Sequence, residues 1–248
     1  MPAALPVPLD DREVLVLDDA KALAQEGAKR FVAAARAAVA DRGRFVVALA
    51  GGATPRAMHA RLLAMGADAL PWSRIYVTFG DERCVPPDDP ASNYGMARET
   101  LLAKVGVPEV RLLRMEGELP PEDAALRHEA RLRALATRLG IADGAPLFDL
   151  VLLGAGADGH TLSLFPGDPA LAETRRLVAT ATAPVEPRAR LTLTFAALAR
   201  TREVLLMAAG PEKRDALARA RAGAPLPVAR AHGRDGTVWL LDREAAGG

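Results

Sequence analysis

Three largely apolar runs break off into glycine. Phe45-Val46-Val47-Ala48-Leu49 precedes Gly51-Gly52, Ile75-Tyr76-Val77-Thr78-Phe79 precedes Gly80, and Leu150-Val151-Leu152-Leu153 precedes Gly154. Runs of this kind suit strands covered on both faces, as in a parallel sheet. Helix-like segments lie between and around them. Residues 20–41 follow a cap at Asp18-Asp19 and carry Leu23, Phe31, Val32 and Val39. Residues 55–65 open on Pro55, whose missing N–H is harmless in a first turn. Residues 92–104 start at Ser92 or Asn93, and 121–139 set Leu132, Leu135 and Leu139 on one stripe. Val14-Leu15-Val16-Leu17 reads as a first strand. Residues 190–195, 203–208 and 237–241 read as later strands, with a helix at 211–221. Such alternation predicts a three-layer α/β fold, a mostly parallel sheet with helices on both faces. No internal repeat or long linker interrupts it, and the Pro-rich 184–187 reads as a loop, so residues 1–248 are expected to form a single domain.

Composition narrows the partners. Half of the 248 residues are hydrophobic, enough for a sizeable core, and the formal net charge is +1. Basic residues alternate with acids along helices, as at Arg127, Glu129, Arg131 and Arg133, so no nucleic-acid footprint is visible. Cys84 is the one cysteine, which excludes an internal disulfide and fits a reducing compartment. Met1-Pro2-Ala3-Ala4-Leu5-Pro6 shows no secretory leader, and no run reaches the roughly 18 apolar residues of a membrane helix. A cytoplasmic protein, a monomer or weak homodimer without metal or cofactor, is expected.

In a parallel sheet the ligand lies beyond the carboxyl ends of the strands. Three polar or glycine-rich segments would then meet at one edge: 51–54, 80–83 and 154–160. Gly51-Gly52-Ala53-Thr54-Pro55 sits where backbone N–H groups and a helix dipole favour an anion, and Thr54 adds a hydroxyl. It is equally the composition of a plain strand-to-helix turn. Gly80-Asp81-Glu82-Arg83 offers a clamp for phosphate or an oxyanion at Arg83 and an acid at Asp81; a solvated loop with a local ion pair reads the same way. Cys84, flanking it, is read as inert.

The third segment runs Gly154-Ala155-Gly156-Ala157-Asp158-Gly159-His160-Thr161-Leu162-Ser163-Leu164-Phe165-Pro166-Gly167. Its glycines formally match a dinucleotide fingerprint. However, Pro166 cuts the following helix short, and the segment lies well past mid-chain. The alternative is a sharp bend that presents Asp158 and His160 to the cleft, a histidine with a carboxylate for general base work. His59, His128 and His232 read as structural or solvent-exposed. Arg190 and Lys213 alone would read as surface cations.

Taken together, these segments resemble the glucosamine-6-phosphate isomerase/6-phosphogluconolactonase family. Val85-Pro86, Ser92-Asn93-Tyr94, Arg190-Leu191-Thr192-Leu193-Thr194 and Glu212-Lys213 extend the match. The resemblance implies the fold shared with glucosamine-6-phosphate deaminases and ribose-5-phosphate isomerases. In the deaminases an acid precedes the proline of the third segment; here Phe165 stands there. The resemblance therefore implies a lactonase, hydrolysing 6-phospho-D-glucono-1,5-lactone in the oxidative pentose phosphate pathway. It implies His160 as general base and Asp158 or Asp81 as its orienting group. It places Arg83 on developing charge or substrate, and Gly51, Gly52, Ala53, Thr54, Arg190 and Lys213 on the phosphate. Ala53 departs from a common serine and removes a hydroxyl. The rivals are a deaminase or isomerase on the same fold and a sugar-phosphate sensor with a dead site. The retained polar set weighs against the sensor.

Overall fold

The computed structural model describes residues 12–248, so the Met1–Pro6 stretch read for a leader lies outside them. Nine strands form two sheets among the described residues. They are β1 (Arg12–Leu17), β2 (Phe45–Leu49), β3 (Ile75–Phe79), β4 (Asp81–Arg83), β5 (Phe148–Leu153), β6 (Val178–Thr182), β7 (Ala189–Leu193), β8 (Thr201–Ala208) and β9 (Gly236–Asp242). The main sheet has the order β1-β9-β8-β5-β2-β3 and is parallel throughout. β5, wholly buried, lies between β8 and β2. A second sheet, β4-β7-β6, is antiparallel.

Side-chain alternation along the strands feeds two cores. Phe45, Val47, Leu49, Leu150 and Leu152 face α1 (Ala20–Arg42) and α2 (Ala53–Ala64), where Phe31 meets Phe45 edge-on at 5.5 Å. Val46, Ala48, Val151 and Leu153 face the helix Pro121–Arg138, the small sheet and the helix Arg214–Arg221. Helices thus cover both faces of the parallel sheet, as the alternation predicts.

Local chemistry sets the boundaries. Asp19 caps α1 by accepting the Ala22 N–H at 2.7 Å, and Gly43 ends it at φ 69°. α2 begins at Ala53, two residues before the expected Pro55, because a proline anywhere in the first turn removes no helical hydrogen bond. The expected helix 92–104 is capped by Ser92 but passes through a π turn at Arg98–Leu102. Two strands escaped the sequence reading. β4 was expected as a loop, and its Asp-Glu-Arg becomes a strand by pairing with β7 rather than by apolar pattern. β6 is short, alanine- and threonine-rich, and lacks a strong period. No helix among the described residues is long and apolar enough to cross a membrane.

Two histidines sit in the cores. His59 Nδ1 lies 2.8 Å from the Thr100 hydroxyl. His128 is buried rather than on an exposed charged face, with Nε2 3.0 Å from the Thr78 hydroxyl. Burial, with Arg56 adding to it, lowers the His59 pKa to about 4; burial, with Arg131, lowers that of His128 to about 3. Both are neutral when folded, whereas in the unfolded chain they charge below about pH 6.5. Their stabilisation is complete above that pH and is lost as pH falls toward the folded values. Each erodes stability by about 1.4 kcal/mol per pH unit in that window. Thermal melts between pH 7 and 4.5 should show a steep fall in Tm, flatter in His128→Gln, which keeps a donor for Thr78. Parallel slopes for the two proteins would contradict this origin of the acid sensitivity.

Candidate active site

The order in which strands join the main sheet reverses between β2 and β5, a topological switch point in an all-parallel sheet. The two strands are neighbours, yet β2 leads into α2 on one face and β5 leads toward the small sheet on the other. A crevice opens beyond their carboxyl ends, where open α/β sheets bind ligands. It is a cleft of about 270 Å³ walled by Gly51, Asp81, Arg83, Asn93, Gly156, His160 and Lys213, with Leu152 and Leu162 among its apolar lining.

The segment after β5 folds back on itself. Gly156 donates its N–H to the His160 carbonyl at 2.9 Å, and Gly159 donates to the Gly156 carbonyl at 3.0 Å. Gly159 has φ +85°, a region side-chain-bearing residues rarely enter. This turn brings Asp158 Oδ1 to 2.6 Å from His160 Nδ1 and to 3.0 Å from the His160 backbone N–H. A methyl group at Gly156 would lie 2.1 Å from His160 Nδ1, so only glycine lets the imidazole rest on this backbone. The Thr161 hydroxyl donates to the Gly154 carbonyl at 2.8 Å and ties the two ends of the segment together. Partial burial would raise the Asp158 carboxyl, but the His160 N–H and imidazole outweigh it and hold it below its ordinary value. An ionised Asp158 accepts the Nδ1 proton. That assignment leaves Nε2 with a lone pair, the form able to take a proton. The Phe165 ring packs beside the imidazole, 4.5 Å between centroids.

Asp81 lies on another wall. Its Oδ2 accepts the Ser163 hydroxyl at 2.7 Å and its Oδ1 accepts Asn93 Nδ2 at 3.2 Å. Asn93 is itself pressed against Gly51, where a methyl group would come within 1.7 Å of its Oδ1. Of the two acids considered for the imidazole, Asp158 is the one in contact with it. Glu82, next to Asp81, is buried and accepts N–H groups from Arg83, Asn93 and Tyr94 and the Ser92 hydroxyl. Burial pushes its carboxyl up against the pull of those donors. It fixes the start of the helix Asn93–Ala97, and hence Asn93, against β4.

Two guanidinium groups share one sheet position, since Arg83 and Arg190 are opposite each other in the β4–β7 register. Arg190 is buried, and burial, then the charge of Arg83, lower its pKa. Among the described residues neither makes an ion pair within 4 Å; Arg83 Nη1 donates to the Ala91 carbonyl, and its Nε is buried without a partner. Among the described residues Lys213 reaches only the exposed Glu212, at 3.5 Å. Asp81 and Glu82 act on Arg190 against burial and Arg83 but are outweighed, so the paired guanidinium groups suit an anionic ligand. Gly52, at φ +100°, and Ala53 and Thr54 form the N-cap and first turn of α2, just outside the cleft lining. Burial pushes the Cys84 thiol up to about 11, opposed by Arg190, so it carries no thiolate near neutral pH. No cluster among the described residues has the makings of a metal site.

A family model described as "Glucosamine-6-phosphate isomerases/6-phosphogluconolactonase" matches residues 18–239. The chain belongs to this family. The 6-phosphogluconolactonase of Mycobacterium tuberculosis is 42% identical over 93% of this chain and 96% of its own length. The 6-phosphogluconolactonase from Trypanosoma cruzi superposes with a TM-score of 0.84, at 29% identity, over 98% of both chains. A monomeric glucosamine-6-phosphate deaminase shares the fold, with a TM-score of 0.76 at 22% identity over 95% of this chain and 99% of its own. The fold expected from strand–helix alternation and family resemblance is therefore the one found.

Several site-building residues of this family member were not singled out from sequence: Asn93, Glu82, Ser163 and Thr161. Thr161 and Ser163 carry one signal, a hydroxyl among apolar neighbours, whereas Glu82 and Asn93 lie in polar stretches that carry none. Gly156→Ala should displace the imidazole while leaving the fold intact. A crystal structure of the variant should show the Asp158–His160 contact broken, with Tm changed by only a few degrees. An unmoved imidazole would contradict the packing described.

Proposed function

We propose that the chain hydrolyses 6-phospho-D-glucono-1,5-lactone to 6-phospho-D-gluconate, the second step of the oxidative pentose phosphate pathway. The observation that carries this reading is the Asp158–His160 pair on the cleft, with Phe165 packed against it where a deaminase would place an acid. In this reading His160 Nε2 takes a proton from water as the oxygen attacks the lactone carbonyl. Asp158 holds the ring and balances the imidazolium that forms. Arg83 meets the charge that develops on the carbonyl oxygen. The ring C–O bond then breaks, the leaving oxygen regains a proton, and the new carboxylic acid ionises. Asp81, held by Ser163 and Asn93, accepts from substrate hydroxyls or water. Gly51, Gly52, Ala53, Thr54, Arg190 and Lys213 hold the phosphate. No cofactor enters this chemistry, and the chain is taken as one cytoplasmic domain working as a monomer or weak homodimer.

The test is proton release from freshly made phosphogluconolactone, with the unphosphorylated lactone as control. Rapid release from the first and slow release from the second are expected. Equal rates would remove the phosphate site, and no release would remove the activity. His160→Ala should cut kcat by at least about 10²-fold with KM nearly unchanged; near-normal turnover would exclude the base assignment. Lys213→Ala and Arg190→Ala should act mainly on KM, raising it about 10-fold or more for a lost charged contact. Unchanged KM in both would place the phosphate elsewhere.

A further inference from the structure

The turn that presents His160 does not stand by itself. It is gripped by a segment almost 70 residues further along the chain, between the helix Arg214–Arg221 and β9. The Gly159 carbonyl accepts the Val228 N–H at 3.0 Å. Leu226 lies directly over the Gly159 α-carbon, where a methyl group would meet its Cδ1 at 2.9 Å and its Cβ and Cδ2 at 3.2 Å. Leu226 and Val228 are both buried, and both belong to the core beneath the small sheet. Val228 lies in the first turn of the short helix Pro227–Arg230, which packs on the helix Arg214–Arg221. Gly159 is therefore fixed on two sides, by a backbone hydrogen bond and by an apolar cap. The residues on either side of it, Asp158 and His160, point their side chains at each other.

We propose that Leu226 and Val228 are positioning residues for catalysis, holding Gly159 so that the Asp158–His160 pair stays in register with the cleft. Neither side chain lines the cleft, so neither touches substrate. Beyond these two contacts, the Phe165 ring holds the imidazole itself, and the other restraints on the turn are local. Its internal hydrogen bonds join Gly156, Gly159 and His160 to one another, and the Thr161–Gly154 contact closes the base of the segment without restraining its tip. Shrinking Leu226 frees the tip to rock about that base. The imidazole then moves relative to a carbonyl carbon fixed by the phosphate contacts, so turnover suffers while affinity does not. A misplacement of about 1 Å can cost about 100-fold in rate.

This inference rests on His160 acting as the base, and the experiment separates the two claims. Leu226→Ala, Leu226→Met and Leu198→Ala are compared for kcat, KM, Tm and the ring resonances of His160, assigned by their loss in His160→Ala. Leu198 is buried more fully than Leu226 in the same core but lies away from the turn. Leu226→Ala is expected to lower kcat about 10-fold or more with KM within about twofold, and to shift the His160 resonances. Leu226→Met should restore both. Leu198→Ala should lower Tm at least as much while leaving kcat and the His160 resonances unchanged. If Leu226→Ala does not fold, Leu226→Val takes its place with a smaller effect in the same direction. Unmoved His160 resonances in Leu226→Ala, or in Leu226→Val where it takes its place, an effect confined to KM, or an equal loss of kcat in Leu198→Ala would overturn the proposal. Shifted resonances with undiminished kcat would instead count against His160 as the base.

Discussion

The hydrogen bond from His160 Nδ1 to Asp158 can form only because the chain between Gly156 and His160 reverses within one tight turn. Two residues apart in an extended chain, the side chains would sit about 7 Å apart along the backbone. The reversal demands a positive φ at Gly159 and an absent side chain at Gly156. Everything that makes the site usable follows from this: a fixed ring, an ionised partner on one nitrogen and a lone pair on the other. Leu162, two residues on, adopts φ 56°, an unfavourable conformation for a bulky side chain, and its side chain sits against Gly80 at the floor of the cleft. Backbone strain of this kind persists where surrounding packing dictates it, and here it lies in the wall of the site.

The small antiparallel sheet gives the opposite wall its charge. β4 leaves β3 almost at once and pairs with β7, which sets Arg83 beside Arg190 and carries Asp81 toward Ser163 and Asn93. Glu82, between them, points the other way, as alternation in a strand requires, and is buried under four donors. One three-residue strand thus supplies an acid and a cation to the cleft and an anchor to the helix behind it. The carboxylates of Asp81 and Glu82 beside Arg190 offset part of the repulsion within the like-charged pair.

The parallel sheet was legible because β2, β3 and β5 are nearly unbroken apolar runs, and their glycine endings pointed to one edge. Asp158 and His160 were legible because a histidine and an acid among three glycines have few structural uses. β4 and β6 were not, since their strand character comes from pairing with β7 rather than from any period of their own. The roles of Asn93 and Ser163 were equally hidden: both act through Asp81, and Ser163 stands 82 residues from it in sequence. His128 carried the signature of a charged helix face, yet it faces the core, because Thr78 on β3 gives its ring a buried partner. Seeing Arg83, read as a clamp, and Arg190, read alone as a surface cation, as neighbours required the strand register itself.

The protonation of a single ring nitrogen carries the most weight. Nitrogen-15 NMR of the His160 imidazole, at a pH where it is neutral, reads its tautomer directly. A proton on Nδ1, bonded to Asp158, with a bare Nε2 toward the cleft is the expected result, and Asp158→Asn should disturb it. A proton on Nε2 in the unmodified protein would contradict the account, because the nitrogen facing substrate would then have no lone pair with which to activate water.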